Sequence, residues 1–164
     1  MAVVDITDPA NPVFKTGEPA GDASDLAVVG STVYVAGGGS IEPLNGIFFS
    51  TSVNASNPAD IKITSLSSLN FTGSDIRGVA VSGNYAYVFD PIGGWLYVVD
   101  ITNPAALQVA GQVKVAASDS ILCGIHAAGG KVYVINKNKF AIVDVSKPET
   151  PTVLWSISSG YGRD

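Results

Sequence analysis

The sequence predicts an all-β fold built from a repeated unit of four short strands. Hydrophobic residues make up 46% of the 164 residues, whereas charged residues make up only 14%. The 18 glycines and 9 prolines interrupt the chain so often that no useful length of helical periodicity is left. Two sequence patterns also recur along the chain, out of phase with each other. Together these observations indicate a repeat protein of strands and turns.

The first recurring pattern is a strand that ends in Asp or Asn and leads into a proline turn. Its end residues lie 49, 46 and 44 residues apart and are Asp5, Asn54, Asp100 and Asp144. A carboxylate at a strand end accepts hydrogen bonds from the amides of the next turn, and the proline fixes the backbone there. We therefore predict a structural role for these side chains rather than a ring of cation ligands.

The second pattern is a glycine turn followed by a strand that contains Tyr-Val or a close variant. It reads VVGSTVYVAG, VSGNYAYVFD and AAGGKVYVIN, and its aligned glycines are Gly30, Gly83 and Gly129. Because this pattern falls between the proline turns, each unit must contain more than one hairpin. The aligned tyrosines Tyr34, Tyr87 and Tyr133 are predicted to pack between units.

One unit illustrates the strand assignment. Its predicted strands cover 78–82, 85–89, 95–101 and 107–115, all rich in β-branched and aromatic residues. Four antiparallel strands in 40–50 residues are typical of a β-propeller blade, whose inner strands are buried on both faces. A β-sandwich of 14 strands is the alternative, but a sandwich does not require a repeating sequence. We therefore predict propeller blades.

Three segments carry a resemblance to a known family. LYVVDITNP, AIVDVSKP and VVDITDPANP resemble the LVIVD repeat, and GNYAYVFD is similar to its glycine turn and Tyr-Val strand. The resemblance implies a propeller on a bacterial or archaeal cell surface, or a secreted one, in a family mostly without assigned activity. The location is therefore expected to be extracellular, although the N-terminus lacks the pattern of a signal peptide. The second unit departs most, because Asn54 replaces the Asp and an atypical stretch precedes it.

The strand count predicts a single repeat domain over 1–164 with about three and a half blades. We expect a half blade at 1–20, an atypical blade at 21–70 with an insertion near 40–46, blades at 71–115 and 116–158, and a lead-in to a further blade at 159–164. Closed propellers usually have at least four blades. The chain is therefore expected to be a partial propeller or a homodimer that completes its ring. Open ends would expose strand edges and an apolar sheet face, which favours association.

Charge and cysteine content exclude several classes of function. The chain has 14 acidic and 9 basic residues and a net charge of −5, which disfavours nucleic acids and anionic membranes as partners. No apolar run reaches 18 residues, so no membrane insertion is expected. The single cysteine, Cys123, excludes an internal disulfide framework and a cysteine-based zinc site.

Ser-Asp pairs precede the first strand of three units and suggest a ligand site at one mouth of the channel. Their carboxylates are Asp25, Asp75 and Asp119. Such oxygens can hold a hard cation such as Ca²⁺. However, the three residues lie five, eight and ten positions before the aligned glycines, and no dense acidic loop fixes a calcium geometry. We therefore predict a solvated rim without a metal or another cofactor.

Two further side chains are candidates for ligand contact. His126 lies on a predicted first strand and could line the channel, whereas Cys123 lies three residues earlier and therefore on the opposite face. These two residues are not expected to form a nucleophile pair. Trp95 follows two glycines near a loop and could stack on a sugar or contact a protein.

The sequence favours a non-enzymatic binding or scaffold module over an enzyme. It contains no nucleophile elbow, zinc-protease motif or phosphate-binding loop in a usable context. The expected ligand is a protein or a carbohydrate. The alternative is a carbohydrate-binding or hydrolytic propeller whose site is built on carboxylates and aromatic residues at the channel mouth.

Overall fold

The computed structural model describes residues 2–17, 22–38, 45–57, 60–115, 123–137 and 139–158. Within these residues the chain forms fourteen strands and no helix. The strands are β1 (Ala2–Asp5), β2 (Val13–Gly17), β3 (Ala23–Val29), β4 (Thr32–Gly37), β5 (Asn45–Asn54), β6 (Lys62–Thr72), β7 (Gly78–Ser82), β8 (Tyr85–Asp90), β9 (Trp95–Asp100), β10 (Gln108–Lys114), β11 (Cys123–Ala128), β12 (Lys131–Asn136), β13 (Lys139–Asp144) and β14 (Thr152–Ser158).

The strands form three four-stranded antiparallel sheets and one two-stranded sheet. We call β3–β6 the first sheet, β7–β10 the central sheet and β11–β14 the last sheet; β1 and β2 form the two-stranded sheet. Neighbours in each sheet are neighbours in sequence. The prediction of an all-β fold made of four-stranded propeller blades is confirmed. In the described part of the chain, no helix is long and apolar enough to cross a membrane.

Glycine turns join the first two strands of each four-stranded sheet. Gly30, Gly83 and Gly129 have φ values of 59°, 59° and 57°, a left-handed conformation that favours glycine. The second and third strands lie in the middle of each sheet. In the central sheet, β8 and β9 are buried almost throughout because neighbouring sheets cover both of their faces. This explains why their sequences are nearly continuous runs of apolar residues.

Two hydrophobic cores hold the sheets together face to face. The core between the first and central sheets is built on Tyr34, Phe48, Val88 and Val99. The core between the central and last sheets combines large and small residues: Tyr87, Phe89, Leu96, Val98, Val132, Val134 and Val143. Contacts between sheets also link β3 to β7 and β7 to β11. The first strands therefore lie side by side along the inner surface of the molecule.

The strand-end carboxylates have the predicted structural role. The Oδ1 atoms of Asp5, Asp100 and Asp144 each accept a hydrogen bond from the backbone N–H two residues later, at 2.8–2.9 Å. Asn54 Oδ1 accepts the equivalent bond from Ser56 at 3.0 Å. Asn can replace Asp here because the turn needs only a side-chain oxygen as acceptor.

Candidate functional site

The beginnings of β3, β7 and β11 lie at one end of the inner surface, which we call the channel mouth. Asp25 lies on β3 at this end. Its Oδ2 accepts a hydrogen bond from the Val79 N–H at 2.9 Å, and its Oδ1 accepts one from the Leu26 N–H at 2.9 Å. One carboxylate therefore links the first sheet to the first strand of the central sheet.

Arg77 makes the second link across the same boundary. Its Nη1 donates to Ser24 Oγ at 3.0 Å, and its Nε lies 2.8 Å from Asp75 Oδ1. The Nε–Oδ1 contact lacks hydrogen-bond geometry, so it is an electrostatic pair rather than a directed bond. Asp75 is only 3% exposed, and the Arg77 guanidinium is the positively charged group in contact with it.

The Ser-Asp pairs do not occupy equivalent places in the sheets. Asp25 pairs with Ala36, and the residues at the same register position in the next two sheets are Gly78 and Gly124. Asp75 lies three residues before β7 begins. Asp25 and Asp75 therefore lie near the same mouth at different registers, and Arg77 contacts Asp75 and Ser24, the residue before Asp25. Asp119 lies outside the described residues, and these three positions remain a predicted site.

Cys123 lies at the same mouth but has the character of a buried thiol. Burial, followed by the nearby charge of Asp25, raises the pKa of Cys123 to about 11; Arg77 opposes this rise, and Asp75 adds a smaller contribution to it. A thiol with this pKa stays protonated at neutral pH and is a poor nucleophile. It packs against the core between the central and last sheets, whereas His126 is exposed on the opposite face of β11. The two side chains do not meet.

Trp95 begins β9 and is partly buried against the core between the first and central sheets. The Lys114 ammonium lies 5.3 Å from the centre of the Trp95 ring, within cation–π distance. The indole therefore has intramolecular contacts on the core side and with Lys114. Contact of Trp95 with a sugar or a protein stays a prediction.

Two polar residues near the mouth were not singled out from the sequence. Asp90 and Asn136 end β8 and β12 at aligned positions, and both are almost fully buried. Asp90 Oδ1 accepts hydrogen bonds from the N–H groups of Ile92 and Gly93, and Asn136 Nδ2 donates to the Pro91 carbonyl at 2.9 Å. Each of them ends a Tyr-Val strand, and this shared place was the signal that could have found them. The described residues contain no group of three or more His, Cys, Asp or Glu side chains placed to hold a metal ion.

The second candidate surface is the outer face of the last sheet, which faces away from the central sheet. One row of paired residues crosses it as His126, Tyr133, Ile142 and Trp155, and the next row is Gly124, Ile135, Phe140 and Ile157. The Phe140 and Trp155 rings meet edge to face at 6.0 Å. Ile135, Trp155 and Ile157 are 53%, 48% and 50% exposed.

The equivalent face of the central sheet is an interface inside the molecule. Tyr87, Phe89, Leu96 and Val98 occupy the register positions of Tyr133, Ile135, Phe140 and Ile142. All four side chains of the central sheet are buried against the last sheet, with exposures of 4%, 0%, 0% and 0%. The outer face of the last sheet therefore has the side-chain pattern of a sheet-to-sheet interface but is open.

Comparison with known proteins identifies the repeat and the fold. The LVIVD repeat model matches residues 1–17, 20–41, 73–115 and 122–158, more than half of the chain. Residues 42–72, which include the atypical part of the second unit, are not matched. No curated protein matches the sequence significantly.

Two solved structures are similar to this chain at low sequence identity. Apo AztD from Citrobacter koseri is 15% identical, with a TM-score of 0.50 over 90% of this chain and 48% of that one. A functionally unknown protein from Desulfotomaculum acetoxidans is 14% identical, with a TM-score of 0.48 over 97% of this chain and 63% of that one. The chain thus spans about half of the first protein and less than two thirds of the second. The likeness to AztD shows the fold alone.

Proposed function

Because the chain belongs to the LVIVD repeat family, we propose that it is a non-enzymatic binding and scaffold module whose ligand is another protein. LVIVD repeat proteins are often on the cell surface or secreted, and the proposal includes such a location for this chain. The observation that carries the proposal is the open outer face of the last sheet.

The outer face has the composition of a protein interface. It combines Tyr133, Phe140 and Trp155 with two half-exposed isoleucines, Ile135 and Ile157. Contiguous apolar surface of this kind is rare on soluble monomers and marks sites of association. Tyr and Trp are enriched among the residues that contribute most to binding energy. A flat sheet partner would therefore bury this face without rearranging it.

The channel mouth supports binding less directly. Three of its charged groups already have partners: Asp75 pairs with Arg77, Arg77 donates to Ser24, and Asp25 accepts from two backbone amides. A hydrolytic site would need one of these carboxylates to be available as an acid or base. In the carbohydrate-binding or hydrolytic alternative, a ligand would therefore have to displace the present partners of these carboxylates.

A second copy of the chain is the partner with which the proposal can be tested directly. We would measure the mass in solution by light scattering on a sizing column over a wide range of concentrations. The expected result is a rise from the chain mass of 16.8 kDa to twice that value. Ile135→Asp and Trp155→Asp should each raise the dissociation constant at least about tenfold, since each places a charge in an apolar interface.

The matched control is Val109→Asp. Val109 is 42% exposed, but it lies on β10 of the central sheet and not on the outer face. Urea unfolding of all three variants checks that each remains folded. A wild-type chain that stays monomeric at every concentration would contradict association of two copies. Equal weakening by Val109→Asp would show that the outer face is not the surface involved.

A further inference from the structure

The end of β6 carries an acceptor sequence for N-linked oligosaccharides. Asn70-Phe71-Thr72 has the form Asn-x-Ser/Thr with x other than Pro, which is the pattern that this modification requires. All three residues lie within β6, the outermost strand of the first sheet. The LVIVD repeat model does not match this segment. The acceptor sequence is therefore not a by-product of the repeat pattern.

The Asn70 side chain lies on the face of β6 that points away from the core. Leu69 packs against the core between the first and central sheets, and Phe71 is buried in it, with its ring 4.5 Å from that of Tyr97. Because successive side chains of a strand point to opposite faces, Asn70 and Thr72 share the other face, and both are exposed. The amide and the hydroxyl of the acceptor sequence are thus presented together at the surface.

The exposure of this position is a property of the repeated sheet. Asn70 has the register position of Lys114 in the central sheet and of Ser158 in the last sheet. Lys114 is exposed although the central sheet has a neighbour on both faces, and Ser158 is exposed as well. A neighbouring sheet therefore leaves this position open. A bulky group on Asn70 would extend into solvent rather than collide with the next sheet.

A second sequence of the same form has a structural role instead. In Asn54-Ala55-Ser56, the Asn54 Oδ1 atom accepts a hydrogen bond from the Ser56 N–H at 3.0 Å. This Asn occupies the place of the turn-forming Asp of the other units, so the turn explains why it is there. The side chain of Asn70 has no such partner among the described residues. Of the two sequences, the one at 70–72 is free of a structural role.

We propose that Asn70 is the acceptor of an N-linked oligosaccharide, transferred from a lipid-linked oligosaccharide pyrophosphate during export. The inference rests on the cell-surface or secreted location in the proposed function. In the reaction, a bond forms between the Asn70 amide nitrogen and the anomeric carbon of the sugar. The bond from that carbon to the pyrophosphate oxygen breaks, the lipid pyrophosphate leaves with the electron pair, and the amide proton passes to a base of the transferase. A bulky, solubilising group on β6 would hinder pairing of this outermost strand with another chain.

The test is the intact mass of the full chain after secretion from a eukaryotic host behind a cleavable signal sequence. The expected result is the chain mass of 16.8 kDa plus one oligosaccharide. Asn70→Gln and Thr72→Val should each abolish the added mass, whereas Thr72→Ser keeps the hydroxyl and should retain it. Asn54→Gln is the matched control and should leave the added mass unchanged. Enzymatic release of the oligosaccharide converts the modified Asn to Asp, so peptide mapping locates the site.

Two results would overturn the proposal. One is a chain that is secreted in folded form without added mass, and the other is an added mass that persists in Asn70→Gln. Urea unfolding of the secreted chain and of Asn70→Gln checks that both are folded. Ile135→Asp should leave the added mass unchanged, and Asn70→Gln leaves the outer face of the last sheet intact. Failure of the modification and failure of protein binding through that face are therefore distinguishable.

Discussion

The side chains at strand ends stabilise the turns of this protein. Asp5, Asp100 and Asp144 each hold a turn by accepting a hydrogen bond from the amide two residues later. Bonds from donors to a carboxylate favour its charged form, so the pKa of each of the three carboxyls lies below its ordinary value. Thr7 is the main cause for Asp5, whose pKa is lowered to about 2. Turn formation and ionisation are thus coupled.

Removing one turn acceptor should destabilise the chain modestly. We expect Asp100→Ala to lower the free energy of unfolding by about 1 kcal/mol, since the Thr102 N–H loses its partner. Asp100→Asn keeps an acceptor oxygen, as Asn54 does in the second unit, and should retain most of the stability. Urea unfolding at neutral pH measures both. Equal losses for the two variants would show that charge, rather than the acceptor, holds the turn.

The lowered pKa values also predict the acid sensitivity of the fold. A carboxyl with a folded pKa below its unfolded value adds stability above the unfolded pKa and loses it as the pH falls through the folded pKa. The unfolding free energy should therefore decrease between about pH 4 and about pH 2, the range between the ordinary and folded pKa of Asp5. A variant that combines Asp5→Asn, Asp100→Asn and Asp144→Asn should show a smaller decrease of the unfolding free energy over this pH range. Urea unfolding at a series of pH values measures this. An unchanged slope would contradict the coupling.

Cys123 provides a chemical test of the channel mouth. Its pKa is raised from 9.0 to about 11, mainly by burial. At pH 8 the native thiol should react with a disulfide reagent about 100-fold more slowly than the same thiol in unfolding concentrations of urea, because the thiolate is the reactive species. A spectrophotometric rate measurement decides this. Equal native and unfolded rates would mean that the mouth is open at Cys123.

At the scale of strands, irregularities occur where the third and fourth strands of a unit pair. The register shifts between Val3 and Val4, between Val109 and Gly111, and between Ile142 and Val143. These shifts fall at equivalent places near the ends of the third strands. A bulge increases local twist and makes an outer strand a poorer template for unwanted pairing. The aligned strand sequences do not reveal the bulges, because a bulge changes hydrogen bonding and not the apolar pattern.

Gly111 shows why one of these outer strands needs a small residue. A Cβ atom at this position would lie 2.3 Å from the Pro148 carbonyl oxygen, in the turn of the last sheet. We expect Gly111→Ala to cost about 1–3 kcal/mol through overpacking against backbone. Gln112→Ala, at the exposed next position, is the control and should have little effect in thermal or urea unfolding. A fully tolerated Gly111→Ala would contradict the close approach of the two sheets.

At the scale of the molecule, burial decreases from the centre to the ends. The central sheet has neighbours on both faces, whereas the last sheet has an open outer face and β14 is exposed throughout. The repeated patterns predicted the strands well; 78–82, for example, is observed as Gly78–Ser82. The contact of Arg77 with Ser24 was not predictable, because it joins residues of different units through sheet packing. Which sheet faces are exposed also depends on how the sheets pack, and no local sequence pattern predicts this.

The central claim is that the sheets stack side by side, so that each buries the next and burial within one chain decreases from the central sheet outward. Amide hydrogen exchange, followed by mass spectrometry on the Ile135→Asp variant, tests it most directly because association through the outer face is blocked. The account predicts slowest exchange in β8 and β9, intermediate exchange in β4 and β12, and fastest exchange in β1, β2 and β14. Exchange in β14 or β1 as slow as in β9 would contradict the account.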